Sequence, residues 1–115
     1  MKLKRITKRE KQLIYAIFFL FLFIVGSIMN LTVKLANNGM MPVYTADKKF
    51  DYIDDEHFTF QNKSKINLFY FTDIIHIPLV DGYISLGDCF VWMGLFFFNI
   101  FSGKWIYLLI KRKKK

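Results

Sequence analysis

Residues 13–33 read LIYAIFFLFLFIVGSIMNLTV, and none of these residues carries a charged side chain. At about 1.5 Å per residue, a helix of this length would extend roughly 31 Å, close to the bilayer's hydrocarbon thickness of about 30 Å. The chain has only 115 residues, which allows one domain at most. It nevertheless contains 14 Phe, more than a soluble domain of this size would bury. The composition therefore predicts a membrane protein.

Signals for the start and the end of a helix flank this first apolar run. Thr7 and Glu10 have the spacing of a capping box, in which two side chains satisfy two free backbone N–H groups. The Asn-Asn-Gly sequence at 37–39 tolerates left-handed backbone, and we expect Gly39 at the C′ position that ends the helix. We predict an uncleaved first helix over residues 13–35. A cleaved signal peptide is the alternative, although it would have a shorter apolar core and a small-x-small cleavage site.

A second apolar stretch lies near the C-terminus. Ser85 and Asp88 repeat the capping-box spacing, and we predict a second helix over residues 85–110. Lys104 interrupts its apolar sequence, but it is close enough to the end of the helix for its ammonium to reach the interface. The single cysteine, Cys89, excludes an intrachain disulfide and is interpreted as a small apolar filler.

The charge is distributed unevenly along the chain. Residues 1–12 contain six Lys or Arg and residues 111–115 are all basic, whereas residues 36–84 carry seven acidic side chains and four lysines. The positive-inside rule then places both basic tails in the cytoplasm and residues 36–84 outside. We expect the tails to meet anionic lipid headgroups rather than nucleic acid. A composition rich in Lys, Phe, Ile and Asn is typical of an AT-rich bacterial genome, which indicates a bacterial plasma membrane.

These features predict an all-α, multi-pass membrane protein whose two transmembrane helices form an antiparallel hairpin. Residues 44–65 have no helical or strand periodicity and are predicted to form a surface loop. Residues 66–80 are more apolar, so we expect this short segment at the membrane surface or against the outer helix ends. In such a hairpin, Gly26 and Ser27 would lie near Phe96 and Leu95.

Several patches resemble a family of bacterial membrane proteins, domain of unknown function 5317. They lie at residues 36–43 (ANNGMMPV), at the isolated His57, and at residues 68–94, which include TDIIHIP and ISLGD. The chain departs from the family pattern at Glu56, Thr72 and His76, where a basic residue, glycine and proline are usual. The resemblance implies a membrane protein and no assigned activity. Because family members usually have more helices before this region, it also implies that a partner chain replaces them.

A candidate functional cluster consists of Asp73, His76, Asp88 and His57. If the segment around Asp73 is helical, Asp73 and His76 share a face, and with either of the others they form a candidate metal site or proton relay. The simpler interpretation is that Asp73 caps a turn and Asp88 caps the second helix, with His76 at the wet interface. The ligand spacing typical of zinc sites is absent, so we predict no metal and no cofactor.

Four residues are candidates for helix packing: Gly26, Ser27, Asn30 and Asn99. The two asparagines lie at different depths, so each is expected to bond another helix, in this chain or in a neighbour. No phosphate-binding loop, Gly-x-Ser-x-Gly, Cys-x-x-Cys or His-Glu-x-x-His motif occurs in the sequence. We therefore expect a non-catalytic component that binds a partner membrane protein or a second copy of itself.

Two alternatives remain at this point. The first is a subunit of a transporter or channel, which requires an oligomer with Asn99 and Lys104 facing inward. The second is an enzyme at the outer surface that uses Asp73, His76 and Asp88.

Overall fold

The computed structural model describes residues 4–44, 56–60, 66–79 and 82–113. These residues form two long helices with short strands and a 3-10 turn between them. The elements are α1 (Lys8–Ala36), β1 (Met41–Tyr44), β2 (His57–Phe60), a 3-10 turn (Phe69–Phe71), β3 (Ile75–Ile77), β4 (Gly82–Ile84) and α2 (Leu86–Lys113).

The capping signals of α1 act as the sequence predicts at its start. The backbone N–H of Glu10 donates to Thr7 Oγ1 and the N–H of Thr7 donates to Glu10 Oε2, each at 3.2 Å. At the other end, the assignment of Gly39 to the C′ position is wrong. The helix ends at Ala36 and Asn38 adopts the left-handed conformation at C′, with φ of 60°. Asparagine tolerates this conformation because its short polar side chain can bond locally.

The two helices pack antiparallel, and glycines allow their backbones to meet. A Cβ added to Gly26 would lie 2.5 Å from the carbonyl oxygen of Gly87 and 2.8 Å from Phe90 Cβ. A Cβ on Gly94 would lie 2.6 Å from the backbone of α1. The predicted position of Gly26 beside Phe96 is therefore wrong by more than one helical turn, because glycine contacts rather than equal span lengths determine how the helices align.

Aromatic rings fill the contact between the helices in the half that carries the basic tails. The Phe19 ring stacks on Phe97 with centroids 4.8 Å apart and on Phe101 at 5.6 Å. Tyr15 adds a tilted contact to Phe101 at 5.2 Å. Separations of this size are typical of favourable aromatic pairs. The hairpin is therefore held by close backbone contact in one half and by ring packing in the other.

Short strands form a small layer over the other end of the helices, so the all-α prediction is wrong in this region. Strand β1 pairs parallel to β2, with Met41 opposite His57, and β3 pairs antiparallel to β4. The predicted loop at residues 44–65 thus contains a strand at 57–60, whereas 45–55 and 61–65 lie outside the described residues. Four-residue strands that pair with distant partners leave too little periodicity to detect in sequence.

The segment at residues 66–79 packs against the helix ends, one of the two positions predicted for it. The backbone N–H of Asn67 donates to Asn37 Oδ1 at 3.1 Å, and its side-chain amide donates to the carbonyl of Ala36 at 2.8 Å. The Asn37 amide in turn donates to the Asn67 carbonyl at 2.9 Å. These bonds satisfy helix-end groups and attach the strand layer to α1.

Both helices are long and apolar enough to cross a membrane. Few of their large apolar side chains are buried: Ala16 and Val33 are the buried hydrophobic residues of α1, whereas Phe21 is 60% exposed and Trp92 66%. A core helix of a soluble protein would bury such residues. The helix surfaces thus face outward with large apolar side chains.

Candidate functional site

Polar side chains converge where α2 begins, on the side that faces α1. Asp88 accepts the backbone N–H of Ser85 at 3.1 Å, and Ser85 Oγ accepts the backbone N–H of Asp88 at 3.0 Å, as the capping box predicts. Asn30 of α1 joins this pair. Its amide nitrogen donates to Asp88 Oδ1 at 2.8 Å, and its carbonyl oxygen accepts the Ser85 hydroxyl at 2.6 Å. The side chain of Asn30 in α1 therefore extends the capping network at the start of α2.

A glycine makes room for this network. A Cβ on Gly87 would meet the side-chain amide of Asn30 and would lie 2.8 Å from the carbonyl oxygen of Gly26. Ser85 is completely buried. The buried Ser85 and the half-buried amide of Asn30 require hydrogen-bond partners, because unpaired polar groups are costly to bury. The bonds among Asn30, Ser85 and Asp88 meet that requirement and hold the two helices in one alignment.

A second polar pair lies in the strand layer. Asp73 pairs with β1 as a single-residue bridge to Val43: its N–H donates to the carbonyl of Pro42 and its carbonyl accepts the N–H of Tyr44, both at 3.0 Å. His57 flanks β1 from the other side, opposite Met41. Met41 and Val43 are two residues apart in β1, so their side chains point to the same face of the strand, as do those of their neighbours His57 and Asp73. His57 Nε2 and Asp73 Oδ2 consequently lie 3.8 Å apart.

The carboxylate of Asp73 is in an unusual environment for an acidic group. Its side chain is only 6% exposed, and Oδ1 has no hydrogen-bond donor among the described residues. Burial, and then the nearby carboxylate of Asp88, raise the pKa of Asp73 from 3.8 to about 7, although His57 and Lys34 act in the opposite direction. The cost of burying a charge without enough donors is the cause. Asp73 therefore titrates near neutral pH.

The predicted cluster is only partly assembled. His57, rather than His76, lies beside Asp73, because the segment around Asp73 is extended instead of helical. His76 is exposed on β3, and its ring lies 4.9 Å from that of Tyr83. The turn before Asp73 is closed by Thr72, whose hydroxyl donates to the carbonyl of Phe69 at 2.6 Å. The described residues contain no group of three His, Cys, Asp or Glu suited to a metal ion.

The four predicted packing residues have different surroundings. Gly26 and Asn30 lie between the helices, as described above. Ser27 and Asn99 are exposed, and each bonds a carbonyl of its own helix at 2.9 Å: Phe23 for Ser27 and Leu95 for Asn99. Neither therefore bonds the other helix of this chain.

Sequence reasoning missed two packing residues, Gly87 and Gly94, which are buried in the contact between the helices. They are seven residues apart, so they lie on the same face of α2. That spacing of small residues on an apolar helix was a signal that could have identified the contact surface.

The fold and the site define a helical hairpin with two helices long and apolar enough to span a bilayer. The layer of short strands covers the end of the hairpin at which α2 begins. The chain belongs to a family of unknown function (DUF5317), whose match covers residues 6–100, and this confirms the predicted resemblance. No curated protein and no solved structure matches the chain.

Proposed function

We propose that the chain is a multi-pass protein of a bacterial plasma membrane that acts by binding another membrane protein rather than by catalysing a reaction. In this proposal α1 and α2 cross the bilayer, both basic tails stay in the cytoplasm, and the strand layer lies on the outer surface. The two apolar helices, the family match and the distribution of Lys and Arg support it.

The observation that carries the proposal is one exposed face of α2. Trp92, Phe96 and Tyr107 are more than 60% exposed, and Asn99 and Gly103 lie between them on the same face. Among the described residues, none donates to the amide oxygen of Asn99. Lipid tails cannot bond that oxygen, whereas a neighbouring helix can.

Gly103 adds room for a neighbouring helix on this face. A Cβ built on Gly103 meets nothing within 4 Å, so a partner backbone can approach α2 closely at this point. Small residues next to a polar side chain are typical of helix contacts in membranes. The exposed face of α2 therefore offers both close packing and a hydrogen-bonding group to a partner helix.

Site-specific photocrosslinking tests this proposal with a control on the same helix. A benzophenone amino acid at position 96 would face outward, whereas at position 97 it would face α1, because Phe97 stacks on Phe19. We expect position 96 to give crosslinks to another protein in intact cells, and position 97 to give none. The additional substitution Asn99→Leu should weaken the crosslinks from position 96. Equal products at both positions would contradict a partner on the exposed face.

The proposed topology has its own test. In a Cys89→Ser background, cysteines at Lys4 or Lys113 should react with a membrane-impermeant maleimide only after the cells are opened. A cysteine at Glu56, which is exposed in the strand layer, should react in intact cells. Reaction of either tail in intact cells would refute the proposed orientation and leave the partner proposal to the crosslinking experiment.

The environment of Asp73 favours a second candidate, an activity at the outer surface that uses this carboxyl group. A group that titrates near pH 7 is suited to accept and return a proton. The substitution Asp73→Asn distinguishes the two candidates, because it keeps the size of the side chain and removes its titration. If partner binding through α2 is the function, crosslinking from position 96 will persist in the Asp73→Asn variant and the cells will behave as wild type.

A further inference from the structure

Arginine and lysine side chains line an open groove at the end of the hairpin that carries the basic tails. The groove has a volume of about 510 Å³ and lies between the first turn of α1 and the last turns of α2. Its lining consists of Thr7, Lys8, Arg9, Leu108 and Arg112. The carboxylate of Glu10, which is close in sequence, accepts the backbone N–H of Thr7. Three cations thus border one cavity.

The groove contains most of the arginines of the chain. Lys and Arg total 17, but only three of them are arginines, at positions 5, 9 and 112. Two of the three line the groove. The planar guanidinium can donate two parallel hydrogen bonds to a phosphate, whereas lysine provides a single point charge. The arginines are therefore placed where a phosphate could be bound by more than charge.

A second, apolar groove lies deeper along the same helices. It has a volume of about 490 Å³ and is lined by Ile14 and four aromatic side chains, Tyr15, Phe18, Phe19 and Phe101. Its residues on α1 begin about 8 Å along the axis from Arg9, at the usual rise per residue. In a phospholipid, the acyl chains begin at a comparable distance below the phosphate. The basic groove therefore corresponds to the position of a phospholipid headgroup, and the apolar groove corresponds to the position of its acyl chains.

From these observations we propose that Lys8, Arg9 and Arg112 form a binding site for the headgroup of an anionic phospholipid whose chain lies along the apolar groove. This inference rests on the proposed membrane location and adds a specific ligand class to it. A diffuse attraction of the tails to a negative surface would involve every cation equally. A built site instead depends on the side chains that border the groove.

Quenching of tryptophan fluorescence tests the site in the full chain. The substitution Trp92→Phe leaves Trp105, which lies one turn before Leu108 of the groove. The protein is placed in phosphatidylcholine vesicles that contain increasing fractions of brominated phosphatidylglycerol or, in parallel, brominated phosphatidylcholine. We expect brominated phosphatidylglycerol to quench Trp105 at a clearly lower fraction than brominated phosphatidylcholine.

Paired variants separate the groove from the general charge of the tails. Arg9→Gln with Arg112→Gln removes two groove cations, and Arg5→Gln with Lys111→Gln removes two cations outside the groove. Both pairs keep Thr7 and Glu10, so the start of α1 is unchanged. We expect the groove pair to raise the half-quenching fraction of phosphatidylglycerol about tenfold more than the control pair, as the loss of a charge-assisted hydrogen bond predicts. Equal shifts in the two pairs would overturn the site.

A free anion in the groove and a chain outside the bilayer would each give a distinct result. If brominated phosphatidylglycerol quenches Trp105 no better than brominated phosphatidylcholine, while millimolar inorganic phosphate changes the Trp105 fluorescence of the wild type and not of the groove pair, the groove binds a free anion and the lipid assignment is wrong. If neither brominated lipid quenches Trp105, the chain is not inserted, which refutes the proposed membrane location and this site with it. Preferential quenching that fails only in the groove pair supports the site while leaving the partner proposal to its own crosslinking test.

Discussion

The close backbone contact between the helices at Gly26 gives a quantitative prediction for Gly26→Ala. The added methyl carbon would lie 2.5 Å from the carbonyl oxygen of Gly87 and 2.8 Å from the backbone nitrogen of Val91. Nonbonded carbon contacts are comfortable at about 3.5–4.0 Å, so the helices must separate by roughly 1 Å. Both obstructing atoms belong to backbone and cannot rotate away. Overpacking of this kind costs about 1–3 kcal/mol of the free energy of unfolding.

Gly103→Ala is the matched control, because a Cβ at that position meets nothing within 4 Å. Replacing a helical glycine by alanine favours the helix by up to about 1 kcal/mol, and this gain is common to both variants. The difference between them therefore isolates the steric cost. We expect Gly26→Ala to be about 1–3 kcal/mol less stable than Gly103→Ala.

The separation of the helices can be followed through their tails. In a Cys89→Ser background, pyrene labels on cysteines at Lys4 and Lys113 should give excimer emission while the hairpin is closed. The reason is that the start of α1 and the end of α2 border the same groove. Titration with SDS from a mild detergent then reports opening, and dilution with unlabelled protein excludes emission between molecules. The reasoning would be refuted if the two glycine variants opened at the same SDS fraction.

Three further predictions concern polar side chains near the end of the hairpin at which α2 begins. Asn30→Leu should lower the SDS midpoint by more than Gly26→Ala does, because it leaves the buried hydroxyl of Ser85 and the carboxylate of Asp88 without their partner on α1. Folding raises the pKa of Asp73 from 3.8 to about 7, so between these pH values the folded state holds a proton that the unfolded state releases. The free energy of unfolding should therefore fall as the pH rises from about 4 to about 7. The Asp73→Asn variant should lack this dependence in the same SDS titration. Asn37→Leu should speed hydrogen exchange at residues 67–72 while leaving the middle of α1 protected, because it removes the bonds between the helix end and Asn67.

The sequence contains the features of the fold that arise from local chemistry. Thr7 with Glu10 and Ser85 with Asp88 form capping boxes because the required side chains lie three residues apart in the chain. The two apolar helices follow in the same way from long uncharged runs. Each of these signals lies within one element, so no knowledge of long-range packing is needed to interpret it.

The features that sequence reasoning missed depend on contacts between distant segments. The alignment of the helices follows from the contact of Gly26 with Gly87, which the lengths of the two apolar runs do not determine. His57 reaches Asp73 only because both flank β1, and the parallel pairing of β1 with β2 joins residues that are far apart in the chain. The strong polar link of Asn30 to Asp88 was expected only as a bond to some other helix. That its partner is Asp88 follows from the alignment of the two helices.

The bond between Asn30 and the start of α2 also constrains how the hairpin can move. If one helix moved along the other by one turn, about 5.4 Å, the Asn30 amide would lose its hydrogen bond to Asp88. Larger side chains would also have to occupy the spaces beside Gly87 and Gly94. A displacement of one helix along the other is thus disfavoured. In bilayers of unequal thickness we expect the pair to change its tilt as one rigid body, carrying the strand layer with it.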